Sequence, residues 1–165
     1  ADLSIDDMIA EFRAATKRGS IAAMEGAEVH ADWLAAGAPA PVDPHVSGPL
    51  SRAAMLPTPV YIRALRRRTA LAAAMDERLT SVDVLALPTT PVTAPTIAYM
   101  AEDAELRDHV EGLLLRNTQV ANQFDLCAIS LPMPGTALPA GLMLVARNGH
   151  DHRLLRIAAE VESLL

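Results

Sequence analysis

Between Val82 and Ile97 the chain reads VDVLALPTTPVTAPTI, an apolar run that gives way to three prolines and four threonines. VDVLAL has no clear polar alternation, the pattern of a strand buried on both faces. Proline fixes φ and donates no backbone hydrogen bond, so Pro88, Pro91 and Pro95 are not expected inside a paired strand. The chain should therefore leave a sheet at about Leu87 and run on as an extended, proline-stiffened segment carrying threonine hydroxyls.

The rest of the chain says what surrounds that strand. Ser4, Asp6 and Asp7 start a first helix with Ile5, Met8, Ile9 and Phe12 at helical spacing, ended by Gly19. Ser20 caps a second, with Ile21, Met24, Val29, Trp33 and Leu34 as far as Gly37. GAPAPVDPHVSGP reads as a proline-rich loop. A long helix is predicted from about Pro57 to Leu79, with Tyr61, Leu65, Leu71, Met75 and Leu79 as its apolar stripe. Another covers roughly Glu102 to Val120. CAISLP and AGLMLVAR are two further strands, with a Pro134-Gly135 turn between them. Asp151 is expected to cap a closing amphipathic helix with Leu154, Leu155, Ile157, Ala158 and Val161 inward. These elements predict an α/β fold, a mixed β-sheet flanked by helices, in a single domain over residues 1–165. Three strands make a thin sheet for so many helices, which suggests that strands are missing.

Composition narrows the function. Hydrophobic residues at 51% and charged residues at 21% describe a folded chain, not a disordered one. A net charge of −6 argues against nucleic acid or an anionic membrane as the main partner. A single cysteine, Cys127, makes no internal disulfide, and no apolar run approaches a membrane span. The expectation is a cytoplasmic protein.

The order DVLALPTTPVTAPTI and then NQFDLCAISLPMPGTALPAGLMLVARNGHDHRLLRIAAEVE resembles the carboxy-terminal part of the amidase signature hydrolases. The matching features are Thr90-Pro91 after a strand, Asn122 ahead of the strand from Ala128 to Pro132, and the run from Leu138 to Leu142. The helices AAMEGAEVHADWLAAGAP and YIRALRRRTALAAAMDERL are similar too, so the resemblance covers nearly the whole chain. It implies hydrolysis of carboxylic amides by a serine, which a lysine activates through a second serine, with a Gly/Ser-rich loop holding the oxyanion. The sequence holds one lysine, Lys17, in a charged helix end, and no Gly-Gly or Ser-Ser pair. Catalytic residues are therefore expected to be absent from this chain.

The resemblance also implies that the Thr-Pro segment borders the active-site region, where ligands of open α/β sheets gather outside the carboxyl ends of strands. Thr89, Thr90 and Asn122 are accordingly the candidate substrate-binding residues; the competing reading is that these side chains satisfy nearby backbone groups. Leu115 and VSGPLS stand where the tRNA-dependent amidotransferases of the family carry acidic and basic residues, which points to a general amidase.

Other motifs read as structural. Cys127 lies in an apolar strand without a histidine partner and is expected to be an inert thiol. His150, Asp151 and His152 open a helix, where positions two apart diverge, so no metal is expected. Arg63, Arg66, Arg67 and Arg68 form a solvated face with acidic partners, or a docking surface for an acidic ligand or partner chain. No cofactor is implied. The expected partners are an amide substrate in the intact enzyme and either the catalytic amino-terminal half or a homo-oligomeric copy. That half was truncated, proteolysed, or is a separate chain. The alternative is a non-catalytic α/β binding or scaffold module derived from the same fold.

Overall fold

The computed structural model describes residues 2–36 and 42–165, which form two compact units. One is helical and spans Ser4–Leu71; the other carries the sheet and spans Ala72–Leu165 together with residues 2–3.

In the helical unit, α1 (Asp6–Thr16) buries Met8 and Phe12, one turn apart, and carries Asp6 and Asp7 at its positive end. Ser20 caps α2 (Ile21–Val29) by accepting from the amide of Ala23. The helix expected to reach Gly37 breaks at His30, whose backbone turns out of helical geometry (φ −108°, ψ 19°), and resumes as α3 (Ala31–Ala36). Val29, expected inward, is 78% exposed at that break, and Gly37 lies outside the described residues.

The proline-rich stretch is not all loop. From Pro44 it is α4 (Pro44–Ala54), with Asp43 accepting from the amide of His45 at the cap and Pro44 in the first turn. Pro49 lies inside this helix, at the cost of one backbone hydrogen bond. The long helix is α5 (Thr58–Arg78). Val60, Ala64, Leu71 and Met75 are its buried residues, whereas Tyr61 and Leu65, expected in the stripe, are half-buried. The near end of the stripe is thus one position earlier than expected. Ala64 has no bulk to hold a neighbour away, and Tyr61 spends its hydroxyl on Glu25 at the surface.

The sheet unit begins with the end of α5 and a 3-10 turn, Leu79–Ser81. Its three strands are β1 (Leu85–Pro88), β2 (Cys127–Pro132) and β3 (Gly141–Ala146), in the order β1-β3-β2 with both pairings antiparallel. β3 is the strand buried on both faces; Val145 is fully enclosed. β1, expected to be buried throughout, alternates instead, because it is an edge of this sheet. The same position explains Pro88, which is paired opposite Leu142 although the chain was expected to leave at Leu87. The amide of Thr89 donates to the carbonyl of Gly141, so the backbone polar groups of Pro88 point away from β3 and the ladder loses nothing.

α7 (Ala104–Arg116) and α8 (Thr118–Phe124) replace the single helix expected from about Glu102 to Val120, and α6 (Ile97–Glu102), which was not expected, precedes them. Thr96 and Asp103 each cap a new start, and Asp125 closes α8 in the left-handed region. α9 (Asp151–Glu162) covers one face of the sheet, where Leu131, Leu144 and Ala146 meet Leu154 and Ala158. Asp151 is its first residue and not its cap; that place falls to His150, which makes no side-chain capping bond. No described helix is long and apolar enough to cross a membrane.

Candidate functional site

The polar chemistry of the sheet unit concentrates where β1 ends. Pairing places Leu85 and Leu87 on the same face as Met143, Val145, Ala128 and Ser130, opposite the face that α9 covers. Thr89 continues β1 on that face. Its hydroxyl lies 2.5 Å from that of Ser130, two strands across, and either oxygen can be the donor.

The residue between them makes this possible. Gly141 sits on β3 between Thr89 and Pro132, and a Cβ there would lie 2.5 Å from both hydroxyl oxygens. Two short side chains therefore reach each other over a strand that offers no side chain of its own.

A second device holds the strand end. Asn117 is the one buried polar side chain among the described residues, 8% exposed, at the joint between α7 and α8. Its amide donates to the carbonyl of Pro88 (2.7 Å), and its oxygen accepts from Arg116 Nε. The carbonyl that Pro88 turns away from β3 thereby finds a partner in a part-buried contact.

Of the predicted site residues, Thr89 joins this cluster. Thr90 turns its hydroxyl to the carbonyl of Val92 (2.8 Å), stiffening the turn after β1. Asn122 lies on α8 with an exposed side chain. Ser130, Gly141 and Asn117 were not singled out from sequence. Ser130 carried a signal, since in CAISLP it falls on the face opposite Cys127, Ile129 and Leu131. Asn117 carried none, lying inside a continuous helical pattern.

A pair of hydroxyls sharing one hydrogen bond keeps a second O–H and spare lone pairs for a ligand. It can meet an amide, which offers both a carbonyl and an N–H. Among the described residues no general base hydrogen-bonds to the pair, so the chemistry it offers is hydrogen bonding. The Cys127 thiol donates to the carbonyl of Arg147 (3.2 Å), and burial pushes its pKa up, which disfavours the thiolate. Arg67 pairs with Glu11, one acidic partner for the arginine run. No described group of three or more His, Cys, Asp or Glu side chains converges as a metal site.

The comparisons agree on one family. The profile of the family described as Amidase matches residues 3–155. A glutamyl-tRNA(Gln) amidotransferase component from Sulfurisphaera tokodaii is 33% identical over 106 residues, 64% of this chain and 22% of that protein. A fatty acid amide hydrolase of Medicago truncatula is 40% identical over 86 residues, 50% of this chain and 14% of that one. A crystal structure of an amidase superposes with a TM-score of 0.73 at 26% identity, over 87% of this chain and 33% of its own. The chain thus spans about a fifth or less of these curated relatives.

Proposed function

The chain belongs to the amidase family, and on that footing we propose that it supplies sheet and substrate-cleft wall to an enzyme that hydrolyses carboxylic amide C–N bonds, yielding an acid and ammonia or an amine. The family match over residues 3–155 carries this reading. The Thr89–Ser130 pair supports it as an exposed polar spot at the end of β1. On this reading Thr89 and Ser130 hydrogen-bond the substrate amide, Thr90 shapes the turn, and Asn122 on α8 is a further substrate contact.

Nucleophile, bridging serine and lysine base come from residues outside this sequence, which has one lysine and no adjacent serines. They belong to a partner chain or to another part of the same protein, and the 165 residues alone are inactive. The acidic balance and single cysteine support a cytoplasmic setting.

The test is ammonia release from simple aliphatic amides, with native mass on the same material. The 17.5 kDa chain by itself should release none. When bound to a chain carrying the serine pair and lysine it should release ammonia, and Thr89→Val should lower that rate. Turnover by the isolated 17.5 kDa species would overturn the assignment.

A further inference from the structure

The helical unit holds a cavity of about 800 Å³ between α2, α3, α4 and the start of α5. That lies within the range of small-molecule sites, roughly 300–1,000 Å³. Its walls are mostly apolar, with Met24, Leu34, Ala53 and Leu56 among them. One side is different. Glu25 and Glu28 both line it, and Tyr61 reaches across from α5 to donate its hydroxyl to Glu25 Oε1 (2.8 Å).

Three residues apart on one helix, the two carboxylates are neighbours on a single face and repel each other. Among the described residues no arginine, lysine or histidine pairs with either. Tyr61 fixes one oxygen of Glu25 and leaves the other free to accept. The cavity thus offers apolar walls and an uncompensated negative edge that the protein itself does not neutralise. We propose that it binds a small molecule with an apolar body and a protonated amine, the ammonium held by Glu25 and Glu28 and the body against Leu34, Ala53 and Leu56. A fatty acid of the same length would bring a third negative charge to that edge, and a neutral alcohol would leave the repulsion in place. This proposal does not rest on the reading of Thr89.

Isothermal titration of the 165-residue chain at pH 7 with octylamine, octanol and octanoate tests it. Octylamine should bind about tenfold or more tighter than octanol, the scale of a charge-assisted hydrogen bond, and octanoate should be weakest. Glu25→Gln, at an exposed position, should remove that preference while circular dichroism stays unchanged. Ala54→Trp, at an exposed lining position, should block the amine by filling the space. Equal binding of amine and alcohol, an undiminished preference in Glu25→Gln, or full binding in Ala54→Trp would each overturn it. So would native mass showing a second copy of the chain that octylamine cannot displace.

Discussion

Gly141 is constrained by its neighbours, not by its own backbone. A methyl group there would stand 2.5 Å from the hydroxyls of Thr89 and Ser130 and 3.1 Å from Thr89 Cβ, so the strand ends must shift or the hydroxyl pair must part. Gly141→Ala should therefore destabilise the sheet unit by about 1–3 kcal/mol, the usual scale of overpacking. Ser130→Ala in the same chain should recover part of that loss by removing one of the two oxygens. Urea unfolding of the single and double variants measures both. Additive losses would show that the crowding lies elsewhere. Asn117 works by the opposite logic, because what matters is the group it leaves behind. Asn117→Ala strips the Pro88 carbonyl of its donor, and loss of this part-buried hydrogen bond should cost about 0.5–1.5 kcal/mol. A midpoint shift within error would mean that solvent replaces the amide.

The elements show where sequence reasoning succeeded and failed. The strands at Cys127–Pro132 and Gly141–Ala146 were legible because short apolar runs bounded by Pro and Gly have few other solutions. α4 was not, because its prolines and Gly48 drowned the signals at Asp43 and Pro44. Those two residues are the helix start, so Asp43→Ala should cost the helical unit about 1 kcal/mol. Circular dichroism during thermal unfolding reads that loss. The end of α5 is tied to the end of β3 by a two-pronged pair, Arg147 Nε to Asp76 Oδ1 (2.8 Å) and Arg147 Nη2 to Asp76 Oδ2 (2.6 Å). Nothing local predicts it, since the partners are 71 residues apart. The hydrogen bond from Arg147 holds the Asp76 carboxyl below its ordinary range. A depressed carboxylate contributes stability above its unfolded pKa and loses it as pH falls through the folded one. Asp76→Asn should thus be destabilising at pH 7, and its difference from the native chain should shrink as pH falls below the usual carboxylate range. Urea midpoints between pH 7 and pH 3 follow the trend, and a constant difference would remove Asp76 from the acid limb.

At the scale of the molecule, the family was legible from the order of elements, while only part of the candidate hydroxyl cluster was. Thr89 could be found because prolines mark where β1 ends. Its partner could not, because pairing Thr89 with Ser130 needs the β1-β3-β2 order, and neighbouring strands in sequence are not neighbours here throughout. That order also sets where the fold is firmest. β3 has a partner on each side and buries Met143, Leu144 and Val145, so its amides open only when the sheet itself does. β1 and β2 each have one free edge in this sheet, and α3 has six residues, none of them buried. Native-state hydrogen exchange should accordingly rank β3 slowest, β1 and β2 intermediate, and α3 fastest. The amide of Thr89 bears most on the candidate site, since it bonds to Gly141 at the last rung of β1. If it exchanges with the β3 amides, the hydroxyl pair stands on a rigid platform able to orient a ligand. If it exchanges as fast as α3, the strand end frays in the 165-residue chain, and this chain's own contacts do not hold the hydroxyl pair in place.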